Sequence, residues 1–197
     1  MTQALTELPD ESLMLRYAGG DADAFAILYE RHKRGLYHFL ARQCAHAPWL
    51  DDVYQDVWMN VTRARSSYQP QAAFRTWLYQ IGRNRLLDYL RRHEPLLLQQ
   101  LQGDEDGDPL TQLVDSRAPL PEQVMDRKQQ AEAIRQALAE LPAAQREAFL
   151  LREHGELSLE EIARLTGVLP ETAKSRLRYA VQRLKQSLAG WKGGAHG

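Results

Sequence analysis

Residues 157–188 read LSLEEIARLTGVLPETAKSRLRYAVQRLKQSL, an order that describes two helices joined by a tight turn. Ser158 followed by Glu161 is a capping box, which starts a helix. Ile162, Ala163 and Leu165 supply that helix's apolar side, and the small Ala163 lets another helix cross closely. Gly167 ends it, because glycine enters a left-handed turn without steric penalty. Pro170 suits the first turn of the next helix, where its missing N–H costs nothing. Beyond it Ala173, Leu177, Ala180, Val181, Leu184 and Leu188 recur on one face at about 100° per residue. Glu171, Ser175, Arg178 and Gln182 lie opposite. Thr172, Arg176, Tyr179 and Arg183 line one flank, Lys174 and Lys185 the other.

In a helix-turn-helix the second helix enters the major groove and its N-terminal side chains meet base edges. Thr172, Lys174, Ser175 and Arg178 are placed for that. Arg176, Tyr179 and Arg183 are better placed for phosphates, which fix register but carry no sequence. Six Lys or Arg and one acid, Glu171, lie between Pro170 and Lys192. The same composition fits an amphipathic helix with a solvated basic face. The spacing of Ala163 and Gly167, followed by Pro170 and Thr172, favours DNA.

The whole chain has 197 residues, 44% of them apolar, and a net charge of −1. It is long enough for one domain or two small ones, and it is not a general polyanion binder, so any nucleic-acid surface is local. A single cysteine, Cys44, excludes a disulfide framework and a cysteine-rich zinc cluster. The opening MTQALTELPDESL lacks a basic start and an apolar run, so no signal peptide is expected. No apolar stretch approaches the length of a membrane span. A cytoplasmic protein without stable membrane insertion is the expectation.

In chain order, Asp10 can cap a short helix to about Tyr17, closed by Gly19 and Gly20. A second helix is expected from near Asp21 to about His46, with Phe25, Leu28, Tyr29, Leu36, Phe39 and Leu40 at helical spacing. Pro48 opens a third, to about Arg65, with Val53, Val57, Trp58 and Val61 inside. A polar loop, 66–73, precedes a fourth helix, Phe74 to His93. No segment alternates like a strand, so the fold class is all-α: two small helical domains, the second a helix-turn-helix. The first spans 1–94. Residues 95–120, broken by Pro95, Gly103, Gly107, Pro109 and Pro119 and rich in Asp and Glu, read as an acidic flexible linker. The second domain spans 121–190, with helices from Glu122 to Glu140 and from Pro142 to near Gly155 before the helix-turn-helix. A tail, 191–197, is expected to be disordered.

The stretch FRTWLYQIGRNRLLDYLRRH, residues 74–93, holds five Arg, one acid (Asp88) and four aromatics. Aromatics stack on unpaired bases and cations track the backbone, a composition for single-stranded nucleic acid. Phe74 and Trp77 read equally as core, and Arg91 and Arg92 as phosphate contacts. On the third helix Asp51 and Asp52 complement the helix dipole, whereas Gln55 and Asp56, a turn further on, suggest a partner surface. Catalysis finds little support. His32, His38, His46, His93, His154 and His196 are scattered without metal-ligand spacing, and neither a Gly-rich phosphate loop nor a nucleophile elbow is present. No cofactor, metal or catalytic residue is expected.

DDVYQDVWMNV at 51–61, FRTWLYQIGRNRLLDYLRR at 74–92 and LPAAQREAFLLREHGELSLEEIARLTGVLPETAKSRL at 141–177 resemble the bacterial extracytoplasmic-function (ECF) sigma factors, over nearly the whole chain except linker and tail. The resemblance implies a first domain that binds core RNA polymerase and the −10 element as single strand. It implies a second domain that reads the −35 element as duplex, and no catalytic activity of the chain's own. Asp52, Gln55, Asp56 and Trp58 match the segment that docks on the polymerase. The loop 66–73, with Tyr68, matches the part that captures a flipped base, and Arg75, Trp77, Asn84, Asp88 and Arg92 match the −10 helix, to which Arg91 is added. Glu171, Thr172, Lys174, Ser175, Arg176, Arg178 and Tyr179 fall on the −35 helix. Glu171 departs from the family's usual small residue, and Ala173 from its usual Val. An anti-sigma factor is a usual partner, and a role in stress response is usual too. The alternatives are a dimeric helix-turn-helix regulator acting without polymerase and, more remotely, a small metal-dependent hydrolase built on Asp51 and Asp52.

Overall fold

The computed structural model describes residues 5–44, 47–102 and 127–189, and every regular element among them is helical. Helix α1 spans Asp10–Ala18, α2 Ala22–Gln43, α3 Leu50–Ala64, α4 Phe74–His93 and α5 Pro95–Gln102, with a single 3₁₀ turn at Arg65–Ser67. The C-terminal unit comprises α6 Arg127–Ala139, α7 Ala143–Glu153, α8 Leu159–Thr166 and α9 Pro170–Ser187. The acidic stretch beyond residue 102 and the tail from 190 lie outside the described residues.

Local chemistry sets some of the helix starts. The Asp21 carboxylate caps α2 by accepting from Ala24 N at 3.3 Å. Asp10 does not play that part: α1 is entered from Pro9, and Asp10 is its first residue. Its carboxylate is instead drawn to Arg31 at 2.6 Å and His32 Nε2 at 2.7 Å on α2. Helix α2 stops at Gln43, short of His46, and α3 begins after Trp49 rather than at Pro48.

Residues 95–102, expected as the start of the linker, form α5. Pro95 stands at the first helical position, where it starts a helix instead of breaking one. Leu101 then comes out 3% exposed, and α5 packs on α4 and α7.

The N-terminal core gathers Leu13, Met14, Leu28, Leu36, Phe39, Leu40, Val53, Val57, Val61, Leu78, Leu86 and Leu90 from α1–α4. Helix α7 is the centre of the second unit and is buried nearly all round. Polar Gln145, Arg146 and Glu147 are hidden along with Ala143, Ala144, Ala148, Leu150 and Leu151. A helix hidden on every side has neighbours on every side: α8 and α9 on one, α2 and α5 of the N-terminal unit on the other. The two units therefore pack against each other directly.

Candidate nucleic-acid interface

The helix-turn-helix is locked by the expected chemistry. Ser158 Oγ accepts from Glu161 N at 3.2 Å, and Glu161 Oε2 accepts from Ser158 N at 2.8 Å. Gly167 takes φ 74°, ψ 29°, the left-handed cap, and Val168 N closes the turn on Ala163 O at 3.0 Å. Ala173, Ala180 and Leu184 of α9 are buried. That fixes the opposite face, on which Glu171, Lys174, Arg178, Gln182 and Lys185 are exposed, while Thr172, Ser175, Arg176 and Tyr179 are half-buried beside them. Glu171 lies 3.6 Å from Lys174. The Arg178 guanidinium sits 4.9 Å over the Tyr179 ring and donates to its hydroxyl at 3.2 Å, which holds it along the helix surface.

Helix α4 has two polar faces with different fates. Gln80, Asn84, Arg91 and Arg92 are exposed, with Trp77 and Asp88 half-buried among them. Asp88 is held between Arg85 at 3.0 Å and Arg91 at 3.1 Å. Trp77 rests edge-on against Tyr68, ring centroids 5.0 Å apart. Tyr68 itself is buried (7% exposed) at the root of the 66–73 loop, against Phe74 as well. Its hydroxyl is buried without a hydrogen-bond partner, and burial, with the Glu11 and Asp10 carboxylates nearby, pushes it up to about 12. The start of α4 is tied down from α1, where Glu11 Oε1 accepts from Phe74 N at 2.7 Å. Phe74 is wholly buried and belongs to the core.

The other polar face of α4 meets the C-terminal unit. Arg75 pairs with Glu156, and Thr76 Oγ1 donates to Glu161. Tyr79 Oη donates to the His154 carbonyl at 2.7 Å, and Arg83 Nε donates to Glu147 Oε1 at 2.9 Å. Arg75 is thus separated from Trp77, Asn84 and Arg92, with which the sequence grouped it. Arg83, Tyr79, Glu147, His154 and Glu156 were not singled out by sequence reasoning. No periodicity links residues 64 or more positions apart; the sole local hint was the turn at Gly155.

On α3, Asp52 and Gln55 are exposed. Asp56 is half-buried and accepts from Tyr89 Oη at 2.9 Å, which accounts for a carboxylate that the helix dipole does not explain. Trp58 takes the inner place that its spacing on the third helix predicts: it is 7% exposed, wedged among Phe25, Tyr29 and Tyr54, where the indole fills the gap to α2. Exposed Met59 stands next to it. The Cys44 thiol is buried, and that burial, with the Glu94 carboxylate, pushes it up to about 12. Among the described residues no three His, Cys, Asp or Glu side chains cluster as a metal site would require, and no helix is long and apolar enough to cross a membrane.

Residues 28–95 match the family model of Sigma-70 region 2, and residues 131–184 that of Sigma-70, region 4. The ECF RNA polymerase sigma factor SigM of Mycobacterium tuberculosis (strain ATCC 25618 / H37Rv) is 33% identical over 186 residues, 92% of this chain and 86% of that protein. The RNA polymerase sigma-H factor of Pseudomonas aeruginosa is 29% identical, covering 93% of this chain and 96% of that one. Among solved structures, CnrH in complex with the cytosolic domain of CnrY superposes with a TM-score of 0.63 at 22% identity, covering 91% of this chain and 97% of that chain. The sigma factor RpoE in complex with the anti-sigma factor NepR, from Bartonella quintana, gives 0.61 at 27% identity, covering 84% and 96%.

Proposed function

Because the chain belongs to the ECF sigma factors of the sigma-70 family, we propose that it binds core RNA polymerase, carries it to specific promoters and starts DNA melting there. The observation that carries this reading is the pairing of two surfaces on one chain. The α9 stripe of Glu171, Lys174, Arg178, Gln182 and Lys185 suits duplex DNA, and the α4 face of Trp77, Asn84, Arg91 and Arg92 suits an unpaired strand.

In this reading α9 lies in the major groove at −35. Arg178 reads a base edge, and Glu171 accepts from a cytosine amine. At −10 a base leaves the stack, at a cost of a few kcal/mol. Stacking on an aromatic wall, about 1–3 kcal/mol per base, offsets that cost only where the right base fits. The Tyr68–Trp77 pair stands at the root of the loop that would receive it. Asp52, Gln55 and Asp56 form the polymerase contact, with Trp58 supporting them from within. The chain itself catalyses nothing in this scheme. It acts in the cytoplasm, where the polymerase is, and an anti-sigma factor is its regulatory partner.

Two weak DNA sites gain from each other only when geometry lets both engage, and the polymerase supplies that geometry. Run-off transcription with purified core polymerase on genomic fragments tests the proposal. Discrete transcripts that depend on the chain are expected. No transcript from any fragment, together with no stable complex with core polymerase, rejects it.

A further inference from the structure

The corner between α7 and α8 fits closely against the N-terminal unit. His154 and Gly155 form its tip. A Cβ on Gly35 of α2 would lie 3.0 Å from Tyr79 Oη and 3.3 Å from the His154 carbonyl, so a larger residue at position 35 crowds the seat. A Cβ on Gly155 would meet Leu151 O at 2.6 Å and the Tyr79 ring at 3.4 Å. Glu156, the next residue, is the one described non-glycine residue at positive φ, 52°. The corner is held in a conformation that local chemistry alone does not favour.

What faces the His154 ring is positive. Arg42 Nη1 lies 3.1 Å from His154 Nε2, and the His38 ring lies 5.8 Å from it. Arg34 acts on His38 from the same helix. From α6, Arg135 acts on Arg42, and from α7 the Glu153 carboxylate is the opposing charge on that guanidinium. From α4, Tyr79 donates to the corner's carbonyl. Two imidazoles and a guanidinium thus share one seam, and a proton on either ring sets like charges against each other.

We propose that the His154–Gly155 corner, seated against Gly35, His38, Arg42 and Tyr79, is a proton-sensitive latch between the two units. With both imidazoles neutral the latch holds the helix-turn-helix unit on α4, and mild acid releases it. Release would uncover Arg75 and Thr76, which in the packed arrangement are engaged by Glu156 and Glu161.

Burial pushes the His154 imidazole down to about 4, with Arg42 and His38 acting in the same direction; His38, exposed on α2, is lowered by partial desolvation, Arg42 and Arg34. When the units part, both rings return toward the ordinary value of about 6.5. Between these values the packed form binds fewer protons than the open one, so packing is favoured above about pH 6.5 and weakens as pH falls toward 4. Carboxylates in general titrate well below imidazoles, so a change above pH 5 belongs to the histidines.

Small-angle scattering of the full chain from pH 7.5 to 5.0 is the test, and it needs neither DNA nor polymerase, so it stands apart from the promoter reading. The radius of gyration is expected to rise in the parent and to stay at its pH 7.5 value in the His38→Gln, His154→Gln double variant. No rise in the parent, or an equal rise in the double variant, overturns the latch. A second measurement does not depend on how that variant packs. By NMR, His154 in the parent is expected to titrate together with the rise in the radius of gyration, below its ordinary value of about 6.5, and to move up to that value in Gly35→Val, where the seat is crowded. An ordinary titration of His154 in the parent overturns the proposal as well.

Discussion

Arg83 Nε donates to Glu147 Oε1 at 2.9 Å across the boundary between the two units, and the Glu147 side chain is wholly removed from solvent. Removing one member of a buried ion pair leaves the other uncompensated, which costs about 3–5 kcal/mol, whereas replacing both by apolar groups of similar volume is near neutral. Glu147→Ala is therefore expected to lower the unfolding free energy by about that much, and Arg83→Met with Glu147→Leu to recover most of it. Urea unfolding of the two variants checks this. Equal losses in both would mean the pair is not the source.

Asp10 supplies an acid-sensitive tie within the N-terminal unit. Burial alone would raise its carboxyl, but hydrogen bonds from His32 and Arg31 outweigh burial and hold it at about 2 against an ordinary 3.8. A carboxyl lowered on folding contributes stability that is fully present above its ordinary value and is lost as pH falls through the folded one. Asp10→Asn should lower stability at pH 5 and flatten the decline of stability between pH 4 and pH 2. Denaturant midpoints taken across that range would show it, and an unaltered slope in the variant would contradict the assignment.

At the turn of the helix-turn-helix, Gly167 has φ 74° with nothing within 4 Å of an added Cβ, so conformation and not space is what requires glycine. Gly167→Ala is expected to cost about 1–2 kcal/mol, the usual penalty for an L residue in the left-handed region. Ser158→Ala, which opens the capping box, should cost about 1 kcal/mol. Thermal unfolding of the two single variants distinguishes these values from none.

These local devices were legible in the sequence because each is decided within a few residues. Ser158 and Glu161 are three apart, Gly167 ends its helix by backbone geometry, and the Phe74–His93 helix falls where its pattern placed it. What was not legible is what long-range packing decides. Pro95 marks a helix start or a chain break depending on whether Leu101 finds a core, and α7 provides one. Trp58 falls on the inner side of its helix by spacing, but that Phe25 and Tyr29 are the rings that close over it is decided by how α2 packs. Helix α7 carries the charged residues Arg146 and Glu147. Both are buried because Gln43, 103 positions away, and Arg83, 64 away, meet them from the other unit.

The reading helix allows base contact and backbone contact to be told apart. Arg178 is exposed near the middle of the α9 stripe, whereas Arg176 is half-buried on its flank. If Arg178 reaches a base edge, Arg178→Ala should weaken binding of holoenzyme to its promoter by about 1–3 kcal/mol and relax preference at one position. Arg176→Ala should weaken every sequence alike and reduce the salt dependence, as loss of a phosphate contact does. The Arg178 stack on Tyr179 must break for the guanidinium to turn outward, so Tyr179→Ala should free the arginine but lose its aim, with discrimination falling further than affinity. Competition binding against a library of −35 variants at two salt concentrations reads all three. Arg176→Ala and Arg178→Ala giving the same profile would show that both touch only the backbone.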